Sequence, residues 1–276
     1  MSSSAVCFGI NKYENSPLRG CVNDAVDIAS ALHYQYTWPM GTVRLCVDER
    51  ATAKGMIERI TSAIVKANSG DTVVISNSSH GAQYAYRSGS GEVDRLDELI
   101  CPYGFDWADE NTWLLDNKIG WILDLKKAGS TVIIISDSCH SDGLLRDSPN
   151  PGSWARGVKI GSARRLQAPP DLAWRKRSLP EGAPKRSLRT LVNDMPGVCL
   201  LSGCESSGTS SDAEFSGRPN GAFTWILLKM LAQYPDLPLG NIVEKCRSTL
   251  CVYGFEQKPQ TSGDQNILDR PFPKYL

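Results

Sequence analysis

Thr72–Ser76 has the sequence TVVIS and Thr131–Ser136 has the sequence TVIIIS, and these two stretches decide the fold. Both are short, continuously apolar and rich in β-branched residues, as strands are when both faces of their sheet are covered. Further strands are predicted at Ala5–Ile10, Val43–Val47 and Val198–Leu201.

Amphipathic segments separate these strands. Apolar residues recur at three- and four-residue intervals in Val22–Tyr34 and Met56–Val65, which predicts helices there. Further helices are predicted at Trp121–Leu125, Ala222–Tyr234 and Ile242–Cys251. The alternation predicts an α/β fold with a mainly parallel sheet of about six strands and helices on both faces. In such sheets, functional groups gather beyond the carboxyl ends of the strands.

The composition excludes several classes of function. The 276 residues carry 30 Lys and Arg against 30 Asp and Glu, and this neutral balance argues against a nucleic-acid partner. Apolar runs are too short to span a membrane, and the first residues do not resemble a signal peptide. Nine cysteines, an odd number without an export signal, favour reduced thiols. We therefore expect a single cytoplasmic domain spanning residues 1–276, with no membrane partner.

One segment differs in composition from the rest. Between Arg146 and Arg189 there are eleven basic and three acidic residues, together with six prolines and little hydrophobic periodicity. A long insert of this kind is usually a functional or disordered loop, although a solvated linker or an RNA- or membrane-binding arm has similar composition. We expect residues 146–195 to be a basic, proline-rich loop between parts 1–145 and 196–276.

A histidine and a cysteine follow the two deciding strands. His80 comes shortly after TVVIS, and Cys139 comes shortly after TVIIIS. A thiol is mostly protonated at neutral pH, so a nucleophilic Cys139 needs a neighbouring base such as His80. The backbone N–H of Gly81 can point at a developing oxyanion. His140 is a rival base, but its side chain is expected to point away from that of its sequence neighbour.

The motifs around these residues resemble those of the caspase-like fold, in particular metacaspases and their bacterial relatives. The resemblance covers most of the chain and rests on the order of its motifs: GINKYENSPLRGCVNDA, SSHG, DRLDELICP, DSCHS, SGCE, TSSDA, GAFT and QKPQ. It implies a three-layer α/β sandwich. It also implies a cysteine endopeptidase that cuts proteins or peptides after Arg or Lys, with Cys139 as nucleophile, His80 as base, and N–H groups at Gly81 and Cys139 as the oxyanion hole.

The same resemblance implies the pocket for the basic side chain on the amino side of the scissile bond, the S1 pocket. Its residues would be Asp24, with Cys21 beside it, Ser78 and Asp137. Two carboxylates and a hydroxyl suit a guanidinium, which pairs with carboxylates in strong hydrogen bonds. The alternatives are that Asp24 is a helix-terminus residue and Asp137 a turn former.

The sequence departs from the family that it resembles at the positions associated with calcium binding. A paired-acid motif is replaced by Leu115–Lys118 (LDNK), and Gly104 and Arg146 stand where relatives often carry Asp. Losing anionic oxygen ligands weakens a calcium site. We expect no required cofactor, and at most weak calcium binding at Asp106, Asp109, Asp116 or Asp147.

The basic loop follows the nucleophile, where caspase-like enzymes are cut between their two subunits. We expect a monomeric zymogen cut there by itself or by an upstream protease, in a bacterial stress, cell-death or antiviral cascade. The candidate processing sites are Arg146, Arg156, Arg164, Arg165, Arg175, Lys176, Arg177, Lys185, Arg186 and Arg189. A catalytically silent scaffold is the alternative. A nucleotide-binding role has little support, because Ser88–Gly91 lacks the spacing of a phosphate-binding loop.

Overall fold

A six-stranded sheet forms the centre of the molecule, with strand order β12-β9-β7-β3-β1-β2. The computed structural model describes residues 3–87, 93–138, 158–169, 172, 187–205 and 210–275. The strands are β1 Ser4–Gly9, β2 Val43–Val47, β3 Thr72–Ser78, β4 Gly81–Arg87, β5 Val93–Ile100, β6 Leu114–Leu115, β7 Thr131–Asp137, β8 Val158–Ala163, β9 Val198–Ser202, β10 Ser211–Phe215, β11 Arg218–Gly221 and β12 Gln260–Gly263.

The helices in the described residues cover both faces of this sheet. They are α1 Cys21–Tyr34, α2 Ala53–Lys66, α3 Asp116–Leu123, α4 Leu188–Val192, α5 Ala222–Gln233, α6 Leu239–Val252 and α7 Gln265–Leu268. None of the helices within these ranges has the length and apolar character needed to cross a membrane.

Strand β7 shows why the sequence of the central sheet is continuously apolar. Ile133 and Ile135 join a core with α1, α5 and α6, whereas Val132 and Ile134 join a second core with α2, α3 and α4. Since successive side chains point to opposite faces, a strand covered on both faces needs apolar residues throughout. The prediction of a mainly parallel, three-layer α/β sandwich is confirmed.

Two antiparallel sheets stand beside the central one, with orders β11-β10-β8 and β4-β5-β6. Strand β12 also pairs antiparallel with β9, so the central sheet has one antiparallel edge.

The predicted helix at Trp121–Leu125 is misplaced, since α3 begins at Asp116 and ends at Leu123. The helix starts earlier because its first turn includes buried polar residues, which a search for apolar periodicity passes over.

The basic segment is more structured than predicted. Val158–Ala163 forms β8, which pairs antiparallel with β10. The predicted loop of residues 146–195 also ends differently, because Leu188–Val192 forms α4, and Arg189 on this helix is only 9% exposed. Its Nη2 donates to the carbonyl of Cys204 at 2.7 Å, so this arginine links α4 to the end of β9.

Candidate active site

The site lies at the carboxyl ends of β3 and β7, which are neighbours in the central sheet. The two strands pair in register, and Ser78 stands opposite Asp137. His80 follows β3 and Ser138 follows β7, and both are buried. The predicted nucleophile Cys139 lies outside the described residues, as does the rival base His140.

His80 is held in one orientation by the loop between β1 and α1. Its Nε2 lies 2.7 Å from the carbonyl oxygen of Ser16, and its ring packs edge-on against Tyr13 at 4.6 Å. Because a carbonyl oxygen can only accept, Nε2 carries the ring proton in the neutral histidine. Nδ1 is then the basic nitrogen, and it is buried without a hydrogen-bond partner among the described residues.

The environment keeps His80 uncharged. Burial lowers its pKa to about 4, and the positive charge of Arg164 acts in the same direction. The carbonyls of Ser16 and Arg164 favour the protonated ring and partly offset this effect. His80 is therefore neutral at pH 7, the form that a general base requires.

Three buried carboxylates surround the guanidinium of Arg164. Nη2 of Arg164 donates to Asp24 Oδ2 at 2.7 Å and to Asp212 Oδ1 at 2.9 Å. Nη1 lies 3.3 Å from Asp137 Oδ2 and donates to the Asp137 carbonyl at 3.1 Å. The side chains of Arg164, Asp24 and Asp137 are fully buried, and that of Asp212 is 7% exposed.

Backbone N–H groups fix two of these carboxylates. Asp212 accepts from the backbone N–H groups of Arg19 and Gly20 at 2.9 and 3.0 Å. Asp24 accepts from the backbone N–H of Gly221 and from Asn220 Nδ2, each at 2.9 Å. Both acids are thus oriented by groups other than the guanidinium.

The third carboxylate is fixed by the start of α5. Asp137 Oδ2 accepts from the backbone N–H of Thr224 at 2.9 Å and from its hydroxyl at 2.8 Å. The first turn of a helix offers unpaired N–H groups and a positive dipole end, both of which favour an anion. The start of α5 therefore holds the Asp137 carboxylate in place.

The carboxylate cluster depends on a cation. Burial raises the pKa of Asp24 to about 6; the Arg164 guanidinium lowers it, and the nearby Asp137 raises it. The thiol of Cys21 lies in the same field, and burial raises its pKa well above the usual value. Buried carboxylates without a counter-ion are costly, so the three acids need the positive charge of Arg164.

The backbone of Arg164 is bound as well as its side chain. Its carbonyl oxygen accepts from the N–H of Gly81 at 3.0 Å, the donor that the sequence predicted for an oxyanion. Its own N–H donates to the carbonyl of Ser210 at 3.0 Å. Two residues further on, the N–H of Leu166 donates to the carbonyl of Gly81 at 2.9 Å.

The structure thus brings two of the predicted pocket residues, Asp24 and Asp137, onto one guanidinium. Ser78 and Cys21 are both buried at the adjoining strand and helix ends. Asp212 was missed, although it stands in the motif TSSDA; the available signal was an acid between Ser211 and Ala213 in a short strand. The contribution of Ser16 comes from its backbone carbonyl, for which no side-chain pattern exists.

The calcium candidates are used differently. Asp116 Oδ2 accepts from the backbone N–H of Leu188 at 2.9 Å, Asp106 Oδ1 from that of Ala108 at 2.8 Å, and Asp109 Oδ1 from that of Asn111 at 3.0 Å. Asp147 lies outside the described residues. Within the described ranges, no three His, Cys, Asp or Glu side chains are grouped to hold a metal. Asp106, Asp109 and Asp116 thus each accept from a backbone N–H group.

Comparison with known proteins identifies the family. The family model described as the caspase domain matches residues 2–267. Metacaspase-1 of Mycosarcoma maydis is 28% identical over 294 residues, covering 95% of this chain and 70% of that protein. Metacaspase-1B of Aspergillus oryzae is 28% identical over 298 residues, covering 96% and 69%.

A crystal structure of a protein from Geobacter sulfurreducens has the same fold, with a TM-score of 0.72 at 23% identity and 99% of both chains covered. The chain belongs to the caspase-domain family, a family of cysteine peptidases. The sequence resemblance to caspase-like proteins and metacaspases is therefore confirmed.

Gly221 tests whether the carboxylate pocket binds the substrate. An added Cβ would overlap Asp137 Oδ2 and Arg164 Nη1. Gly221→Ala should therefore lower kcat/KM for arginyl peptides at least about tenfold, because a charged hydrogen bond contributes about 1.5–3 kcal/mol. Gly41→Ala is the control, since nothing lies within 4 Å of its Cβ. Equal kinetics for the two variants would show that the pocket binds no substrate group.

Proposed function

We propose that the protein is a cysteine endopeptidase that cleaves peptide bonds after arginine, with Cys139 as nucleophile and His80 as general base. The observation that carries this proposal is the guanidinium of Arg164 among three carboxylates, with its carbonyl on the N–H of Gly81. A substrate arginine bound in this way presents its carbonyl carbon at the carboxyl ends of β3 and β7.

The proposed reaction begins when Nδ1 of His80 accepts the thiol proton of Cys139. The thiolate attacks the carbonyl carbon of the arginine, and the N–H of Gly81 stabilises the oxyanion. His80 then protonates the departing amine as the C–N bond breaks, leaving a thioester. Water, deprotonated by His80, hydrolyses the thioester, and Cys139 is released as a thiol. The carbonyl of Ser16 keeps Nδ1 facing the reaction throughout.

The pocket geometry favours arginine over lysine. The two terminal nitrogens of Arg164 diverge, so that Nη2 reaches Asp24 and Asp212 while Nη1 reaches Asp137. A planar guanidinium can serve all three acids at once, whereas a single ammonium on a flexible stem cannot match this fork. Acidic side chains are excluded, because the three carboxylates already exceed the single positive charge of Arg164 and would repel a further carboxylate.

We also propose that the chain is a monomeric, cytoplasmic zymogen. The support is that the basic segment contributes Arg164 to the pocket, which blocks entry of another basic side chain. An upstream protease or the enzyme itself would remove the block, in a cascade such as stress, cell death or antiviral defence. The alternative, a silent scaffold of caspase-like fold, is disfavoured because His80 has the tautomer and neutral charge of a general base.

Peptide hydrolysis tests the proposed activity. A fluorogenic peptide ending in Arg should be hydrolysed at least about 1,000-fold faster than one ending in Asp, because two charged contacts are gained or lost. Cys139→Ala should abolish the activity, while Cys251→Ala, which removes an exposed thiol, serves as the matched control. Activity that survives Cys139→Ala, or a preference for Asp, would contradict the proposal.

The acid limb of the pH profile tests Asp24, which must be ionised to pair with a guanidinium. Burial raises its pKa to about 6 with Arg164 present, and Asp137, Asp212 and Cys21 also face the cluster. Since Arg164 lowers this pKa, the freed pocket titrates at or above about 6, and kcat/KM for arginyl peptides should fall as the pH decreases through that range.

Two variants check this assignment. Asp24→Asn should lower kcat/KM and move the acid limb to lower pH. Asp27→Asn, on the same helix but paired with Arg218, should leave the midpoint unchanged. An acid limb that keeps its midpoint in Asp24→Asn would show that another group causes it.

Calcium dependence is the remaining test of the proposed function. Because Asp106, Asp109 and Asp116 hold backbone or turn groups, millimolar calcium should change the rate by less than about twofold, and a chelator should have no larger effect. The measurement is peptide hydrolysis with calcium or chelator, using magnesium as the control cation. A large rate increase specific to calcium would overturn this expectation.

A further inference from the structure

We infer that the Arg164–Arg165 peptide bond is the site at which the chain cuts itself, and that residues 161–166 are a built-in substrate. On this inference, the cleft prefers peptides that resemble Gly-Ser-Ala-Arg before the cut and Arg-Leu after it. The inference rests on the proposed function, since it uses the same nucleophile, base and pocket. It adds the bond that is cut and the class of peptide that is recognised.

The amino side of this segment is bound as an added strand. β8 pairs antiparallel with β10, with Ala163 opposite Ser211. The pairing continues into the N–H of Arg164, which donates to the carbonyl of Ser210. Main-chain pairing at a sheet edge binds peptides of many sequences, while side-chain pockets supply the selectivity.

The bond after Arg164 lies where the reaction takes place. The carbonyl oxygen of Arg164 accepts from Gly81, which directly follows His80, and it is close enough to the imidazole to raise the pKa of His80. Beyond the bond, the N–H of Leu166 donates to the carbonyl of Gly81. Both sides of the Arg164–Arg165 bond are therefore fixed by the same glycine.

The side chains next to Arg164 indicate what the cleft accepts. Gly161 lies three residues before Arg164, and an added Cβ there would overlap the backbone carbonyl of Asp212. Since a backbone atom cannot swing aside as a side chain can, this subsite selects glycine. Leu166, two residues after Arg164, packs against a buried apolar cluster that includes Tyr84 and Trp113, so that subsite selects an apolar side chain.

Other described basic residues of the segment are placed differently. The ammonium of Lys159 lies 3.0 Å from Glu214, with its side chain 59% exposed, at the far end of β8. The side chain of Arg189 is committed to the Cys204 carbonyl. The remaining sequence candidates from Arg146 to Arg156 and from Arg175 to Arg186 lie outside the described residues. Of the ten predicted processing sites, Arg164, Arg165 and Arg189 are described, and among these three it is the side chain of Arg164 that lies between the carboxylates.

Self-cleavage follows the proposed chemistry with one chain as both enzyme and substrate. Sγ of Cys139 bonds to the carbonyl carbon of Arg164, and the C–N bond to Arg165 breaks. The Arg165 amine takes the proton that His80 received from the thiol. Water then releases Arg164 as a new carboxyl terminus and restores the thiol. The cut frees the carboxylate pocket for the arginine of another substrate.

The first experiment maps the cut by mass spectrometry of intact purified protein. Wild type should give one fragment ending at Arg164 and one beginning at Arg165, at a rate independent of protein concentration. Cys139→Ala should stay whole, and Arg164→Lys should be cut at least about tenfold more slowly. The control is the triple variant Arg175→Ala, Lys176→Ala, Arg177→Ala, which should be cut as wild type.

The second experiment measures pocket occupancy without catalysis. Agmatine, a small guanidinium compound, should raise the Tm of Cys139→Ala/Arg164→Ala, whose pocket lacks its cation, and should not raise that of Cys139→Ala. If the double variant does not fold, peptides decide: processed wild type should prefer Gly-Ser-Ala-Arg over Val-Ser-Ala-Arg at least about tenfold in kcat/KM.

The outcomes separate the two proposals. Cys139-dependent hydrolysis of arginyl peptides, with self-cleavage at another bond or none, would overturn the inference and leave the proposed function standing. Equal Tm shifts in both variants, or equal rates for the two peptides, would also overturn the inference. Absence of any Cys139-dependent hydrolysis of arginyl peptides would overturn the proposed function itself.

Discussion

The site depends on one buried guanidinium shared by three carboxylates. Asp24 comes from α1, Asp137 from the end of β7 and Asp212 from β10, so the contacts of Arg164 join elements far apart in sequence. Burying these charges costs several kcal/mol each, and removing one partner of such a cluster typically costs about 3–5 kcal/mol. A cation of suitable shape therefore stabilises the pocket when it occupies it.

The fold prepares this pocket before a cation enters it. Each carboxylate accepts backbone N–H groups: Asp212 from Arg19 and Gly20, Asp24 from Gly221, and Asp137 from the first turn of α5. Because the acceptors are already oriented when a guanidinium arrives, little conformational freedom is lost on binding. On the proposed function, the same fixed acceptors bind either an internal arginine or a substrate arginine, which links specificity to self-restraint.

Much of this arrangement is predictable from sequence. The parts that could not be predicted have physical reasons. The apolar strands placed His80 at the carboxyl edge of the sheet, because parallel strands end at one edge, whereas Asp24 and Asp137 were implied by the resemblance to metacaspases. The strand β8 escaped prediction, since its side chains are mostly half-exposed or exposed and its stability comes from backbone pairing with β10. The Ser16 carbonyl likewise acts through the backbone.

Replacing arginine by citrulline tests the central claim most directly, because citrulline keeps the shape of the side chain and loses its charge. The measurement is kcat/KM of the self-processed enzyme for two peptides that differ only in this residue. The account predicts at least about a hundredfold lower value for citrulline, since the three acids then face an uncharged group. Equal values for the two peptides would show that the carboxylates do not recognise the substrate and would contradict the account.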